Sequence, residues 1–205
     1  MSSSIAYVSE PLPNRVLFGP FPKKQGDVAK LINELGVTHI VNLLPLTDQK
    51  TSKGLPADAW YECFWTGEKS KLRAPSLLRY PVPGIATKQR DWVRWYVDTA
   101  QRVAAEMGDA GCMYVNNESG LAEEATLAFT LCEILQRGAI PSVDAWITDH
   151  PHAQGVLFSP ESRALLTECL EQVASKGGDG GGAGGSKQGV LKGWVRMVKR
   201  VKLVE

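Results

Sequence analysis

The 205-residue sequence predicts an α/β fold with a central, mostly parallel sheet flanked by helices. Three observations carry this. Residues 15–44 run strand, helix, strand with short connections. An amphipathic helical pattern over 88–107 leads into a wholly apolar run, Cys112–Val115, the pattern of a strand covered on both faces. After one short polar turn a second helical pattern begins, so that strand feeds a helix directly.

The elements follow in chain order. "RVLFGPFP" (15–22) reads as a short strand ended by Gly and Pro. In "GDVAKLINELG" (26–36), Val28, Leu31, Ile32 and Leu35 recur at helical spacing, and Gly36 suits the position just past a helix end. "VTHIVNLL" (37–44) is a β-branched run of strand length, with His39 read as a core histidine that has a hydrogen-bond partner. "LLRYPV" (77–82) is another strand. Thr87 is placed to cap the helix over 88–107, whose apolar stripe is Trp92, Trp95, Tyr96, Thr99, Val103 and Met107. Those aromatics read first as core, and one turned outward toward a partner is the alternative. Gly108 and Gly111 bracket a turn. The next helix runs from about Leu121 to Arg137, with Leu127, Leu131, Ile134 and Leu135 inward and Gly138 after it. "PSVDAWITDH" (141–150) reads as a short helix. In "SPESRALLTECLEQV" (159–173), Ser159 is the cap and Pro160 takes the first helical position.

The chain divides into an N-terminal extension (1–14), one folded domain (15–175), a Gly-rich flexible linker (176–189) and a basic amphipathic tail helix (190–205). Apolar residues make up 43%, enough for a full core. The net charge of +1 hides an asymmetry. From Lys187 onward there are six basic residues and one acidic, +5, which leaves 17 basic and 21 acidic in the body, −4. A mildly acidic body argues against nucleic-acid binding. The start lacks the apolar and basic regions of a secretory signal, Ser2 stands where myristoylation needs Gly, and no run approaches a membrane span. Cys63, Cys112, Cys132 and Cys169 form no CxxC pair and lie in apolar stretches, which reads as buried free thiols in a reducing, cytoplasmic setting.

"CMYVNNESGLAEEA" (112–125) is the most informative stretch. Strand, tight turn and helix N-terminus together make an anion cradle, because the first helical turn offers unpaired N–H groups and a positive dipole end. Yet the turn holds two asparagines, and Glu118, Glu123 and Glu124 crowd it. Carboxylates in a first turn satisfy free N–H groups and complement the dipole, so the cradle is expected to be filled by the protein itself.

Four stretches, "LFGPFP", "LINELGVTHIVNLLP", "YPVPG" and "YVNNESGLAEEATLAF", resemble those of a dual-specificity protein phosphatase of the cysteine-dependent tyrosine phosphatase superfamily. The resemblance runs from about Arg15 to Val173 and implies that family's fold. Its loop pattern, V-H-C-x-x-G-x-x-R, falls on Val115 to Glu123. Asn116 then stands where the family has His, Asn117 where it has the nucleophilic Cys, and Glu123 where it has the phosphate-clamping Arg; Gly120 is retained. Glu118, Ser119, Leu121 and Ala122 complete the degenerate loop, and Gly84 stands at the position implied for the general-acid Asp.

The residue chemistry points the same way. An amide is no substitute for a thiolate nucleophile. A carboxylate repels the oxygens that a guanidinium would grip. No other cysteine has Arg six residues on: the partners at that spacing are Lys69, Glu118, Gly138 and Ser175. Ser119 has no nearby His to activate it. The expectation is an inactive phosphatase-fold protein, a pseudophosphatase that acts as a protein-interaction or scaffold module. The alternatives are an active phosphatase or other hydrolase with an atypical loop, and a membrane-surface adaptor.

No cofactor or metal is expected. "DHPH" (149–152) offers Asp149, His150 and His152 without a fourth ligand at metal-like spacing. The tail is more telling. Leu191, Trp194, Val195 and Val198 share one helical face, while Lys199 and Arg200 lie with Lys192 and Arg196 on the other. Such a helix suits an anionic membrane surface or a calmodulin-like partner, which would make the protein peripherally membrane-associated. Docking back onto the acidic body is the other reading, and the protein partner itself is not identified.

Overall fold

A computed structural model describes residues 8–44, 74–83, 88–117, 122–138, 144–145 and 159–176. Its five strands are β1 (Ser9–Leu12), β2 (Val16–Pro20), β3 (His39–Asn42), β4 (Ser76–Arg79) and β5 (Met113–Asn117). The described helices of more than one turn are α1 (Gln25–Asn33), α2 (Gln89–Met107), α3 (Ala122–Leu135) and α4 (Pro160–Lys176). The strands form one sheet in the order β1-β2-β5-β3-β4. β1 is antiparallel to β2, and all other pairs are parallel. This is the α/β, mostly parallel architecture expected from the sequence.

Alternation along each strand builds two cores. Val16, Phe18, Val41, Met113 and Val115 face α2, α3 and α4. Leu17, Ile40 and Tyr114 face Val28 and Leu31 of α1. β2, β3 and β5 are thus apolar on both sides, which is why β5 reads as a continuous apolar run. Phe18 meets Phe129 of α3 edge to face at 5.8 Å, the favoured aromatic geometry, and ties the sheet to the helix layer.

The helix ends follow from named residues. At the start of α1, Asp27 accepts the N–H groups of Lys23 (3.1 Å) and Lys24 (3.0 Å). At its end Gly36 is left-handed (φ 69°), and the Val37 N–H returns to the Leu31 carbonyl at 2.9 Å. Ser159 caps α4, accepting the Ser162 N–H at 3.2 Å, with Pro160 first in the helix. Arg15, in the β1–β2 turn, donates to the carbonyls of Gly108 (2.8 Å) and Asp109, which satisfies acceptors just past the end of α2.

The structure differs from the sequence reading in three places. β1 lies within the stretch read as an extension; "SEPL" carries a Pro, which pattern reading demotes, but an edge strand tolerates it. The α2 N-cap is Lys88 rather than Thr87, and Lys88 makes no side-chain capping bond. His39 is half-buried rather than core, because it opens β3 at the sheet's rim; its Nδ1 pairs with Thr38 Oγ1 at 2.7 Å. Burial lowers its pKa from the ordinary value, partly offset by Glu106. The "PSVDAWITDH" helix lies outside the described residues except Asp144 and Ala145, and residues 177–205, with the tail, lie wholly outside them.

Two glycines separate two kinds of constraint. A Cβ at Gly36 would meet nothing within 4 Å, so Gly36→Ala costs only the left-handed backbone, about 1 kcal/mol. A Cβ at Gly111 would collide with the Met107 carbonyl oxygen, so Gly111→Ala should cost roughly 1–3 kcal/mol through forced backbone movement. Urea midpoints at fixed pH should rank wild type, Gly36→Ala, then Gly111→Ala.

Candidate functional site

In a parallel sheet the carboxyl ends of the strands are where ligands are met. Here that edge carries Pro20, Asn117, Asn42 and Arg79, with Asn116 beside Asn42 in the β3–β5 register. The strand-to-helix step expected from the sequence is present: β5 ends at Asn117 and α3 begins at Ala122. Glu118, Ser119, Gly120 and Leu121 lie outside the described residues, as does Gly84.

Asn116 is fully buried and serves the sheet. Its Nδ2 donates to the Val41 carbonyl at 3.1 Å, and its own carbonyl accepts the Leu43 N–H at 2.9 Å. Asn42, in register with it, accepts the Leu44 N–H on Oδ1 at 3.0 Å. Asn116 Oδ1 and Asn42 Nδ2 are both buried without a hydrogen-bond partner among the described residues. Asn117 is 8% exposed, and its carbonyl accepts the Phe21 N–H at 2.9 Å. By the alternation of β5, Asn116 lies on the α1 face and Asn117 on the face of α2, α3 and α4.

Ala122 and Glu123 are half-buried in the first turn of α3. Glu124 corrects the sequence reading. The sequence places it to meet the helix N–H groups as a carboxylate, but it is fully buried, and among the other described residues neither of its oxygens has a hydrogen-bond partner. Burial raises its pKa to about 9; its own backbone N–H opposes the shift, and the neighbouring Glu123 adds to it. At neutral pH Glu124 is a neutral acid and contributes no charge to the cradle. The cause is the central place of α3: every residue from Glu124 to Glu133 is buried, so the helix offers Glu124 no exposed face.

The α2 aromatics lie opposite. Tyr96 is fully buried, stacked on Trp92 (5.8 Å) and edge-on to Trp95 (4.9 Å). Both tryptophans are half-buried and packed against the core. The Tyr96 phenol is raised well above its ordinary pKa by burial first, then by Glu123, Cys169 and Glu124. Helical spacing puts Tyr96 in the stripe, but the influence of two carboxyls on its phenol depends on how α2 packs against α3.

The described thiols offer no nucleophile. Cys112 immediately precedes β5 at the end away from the loop, where burial pushes its thiol up to about 11. Burial raises Cys132 far above the ordinary range and pushes Cys169 up to about 12. All three are free and buried, as expected; Cys63 lies outside the described residues. Among the described residues no three His, Cys, Asp or Glu side chains gather as metal ligands, and no helix is long and apolar enough to cross a membrane. The "DHPH" residues lie outside the described residues.

No family model matches the chain, and no curated protein matches it in sequence. Its similarity is to solved structures. The crystal structure of PTPMT1 in complex with PI(5)P superposes with a TM-score of 0.55 at 14% identity, covering 83% of this chain and 99% of that one. The core catalytic domain of the PP-IP phosphatase SIW14 from S. cerevisiae, in complex with citrate, gives 0.54 at 12% identity, covering 83% and 91%. Human DUSP28 gives 0.50 at 18% identity, covering 82% and 95%. The central five-stranded sheet and its flanking helices therefore have the fold of the dual-specificity and tyrosine phosphatases.

Proposed function

We propose that the protein is a pseudophosphatase: a phosphatase-fold chain that works through protein contacts rather than phosphoryl transfer. One observation supports this above the others. Asn117 ends β5 and Glu123 sits in the first turn of α3, the positions that the loop pattern gives to a nucleophile and a phosphate clamp. An amide does not form a phosphoryl-enzyme. At ~4 Å and an effective dielectric near 20, opposed unit charges interact by about 4 kcal/mol. Exchanging that attraction for repulsion costs at most about twice as much before solvent screening. The loop sequence Asn116–Glu124 also holds no cation, which counts against binding of phosphorylated partners.

The protein should not hydrolyse p-nitrophenyl phosphate or phosphopeptides above background. Measurable turnover that disappears in Asn117→Ala or Ser119→Ala would instead establish an atypical hydrolase.

Restoring one residue should not restore the reaction. In Asn117→Cys the thiol lies near Glu123, which disfavours its thiolate and repels phosphate. Activity is expected only with Asn117→Cys and Glu123→Arg combined, and more with Gly84→Asp added, since a general acid contributes about 10²–10⁴-fold. Single-turnover assays of the three variants decide this, and clear activity from Asn117→Cys alone would contradict the electrostatic reading of the loop.

The basic face and Trp194 of the tail favour a second, compatible role at anionic membrane surfaces, where each basic residue is worth about 1 kcal/mol. Full-length protein should sediment with anionic liposomes in a salt-sensitive way, and deletion of 187–205 should abolish it. Binding by the isolated tail peptide but not by the full chain would show that the tail docks on the body instead.

A further inference from the structure

Glu124 takes no part in the loop chemistry proposed for Asn117 and Glu123. Among the other described residues neither oxygen of this fully buried carboxyl has a hydrogen-bond partner, which is rare in a native core and costs stability. The groups facing it come from the elements packed on α3, namely α2, α4 and the three strands β1, β2 and β5. From α2 comes the Tyr96 phenol, which both Glu123 and Glu124 influence. From α4 comes the Cys169 thiol, which acts on the same phenol. The strands present Leu12, Val16, Phe18, Met113 and Val115 on this face, none of them titratable. Glu123 is the neighbour on its own helix. Among these described groups each is neutral or acidic, so none compensates a carboxylate.

We propose that the first turn of α3 is a proton-held latch. Protonated Glu124 keeps the turn seated against α2; once it loses its proton, the side chain turns out to water and the turn opens while the rest of the domain stays folded. The step is an acid dissociation: the carboxyl O–H bond breaks, the proton passes to water and the electron pair stays on the carboxylate. Position favours the turn as the weak point. It lies at the end of its helix, where opening breaks few hydrogen bonds. The driving force is the solvation that burial denies the charged form.

The sign follows from linkage. The seated carboxyl holds its proton up to about pH 9, whereas once released it ionises near its ordinary 4.5. Opening therefore releases a proton across that interval, and the opening constant rises about tenfold per pH unit. Stability of the seated turn is greatest in acid and is lost as pH rises. The dependence flattens above about 9, where the seated form also ionises.

Amide hydrogen exchange on the full chain tests this. The N–H groups of Thr126, Leu127 and Ala128 reach back to Ala122, Glu123 and Glu124 by helix geometry, so opening the turn exposes them. After correction for intrinsic rates, their protection should fall about 300-fold from pH 5.5 to 8. It should stay below that of Val41 and Val115 throughout. Glu124→Gln should flatten the dependence; Glu124→Met, which keeps the volume without a titratable group, does the same if the Gln variant folds poorly. Flat protection in wild type overturns the proposal, as does a slope that persists in both variants. Protection equal to that of the central strands at every pH also overturns it, because Glu124 would then be released only by global unfolding.

Discussion

The parallel part of this sheet depends on β5. Its residues pair with β2 on one side and β3 on the other, and β2 and β3 do not pair with each other. Without Met113–Asn117 the N-terminal strands and helix would form no common sheet. The same strand supplies both cores, through Met113 and Val115 on one face and Tyr114 on the other. Tyr114 adds a polar tether, its hydroxyl donating to the Pro20 carbonyl at 2.7 Å. The candidate site is an outgrowth of this strand, since its end positions Asn116 and Asn117 and directs the chain into α3.

That arrangement explains how the site's residues are divided between structure and chemistry. Asn116 is spent on the β3 backbone, and the Asn117 carbonyl receives the chain leaving β2. The first turn of α3 then presents one half-buried carboxylate side chain, Glu123, and withdraws the other, Glu124, into the core. The positive end of the helix is thus met by less negative charge than composition implies. A buried acid without a hydrogen-bond partner among the described residues is not explained by packing alone, because Leu or Met would fill the same space at no solvation cost.

Much of the fold was legible. Strand-length apolar runs and helical spacing located β2, α1, β3, β4, α2, β5, α3 and α4, and Gly36 and Ser159 marked helix ends by chemistry that is local to the chain. β1 escaped because four residues with a central Pro carry little periodicity. The frame of the site was legible too, since strand, turn and helix start are adjacent in sequence. What sequence could not give was direction. The burial of Glu124 and the influence of two carboxyls on Tyr96 depend on the packing of α2 against α3, and the Asn42–Asn116 pairing depends on register between strands far apart in the chain.

The position of β5 also sets an order of events during synthesis. β2 and β3 are complete by Asn42, but the strand that joins them begins only at Met113. A growing chain must carry two apolar strands with unpaired flanks across the whole of β4 and α2 before the sheet can close. Such long-range closure is slow, and exposed strand edges invite association with other chains. The burden of preventing that falls on the N-terminal segment itself: α1 can cover one face of β2 and β3 early, while their other face waits for helices not yet made. For this protein, yield in the cell should depend less on the stability of the finished domain than on how long its first half remains without its central strand.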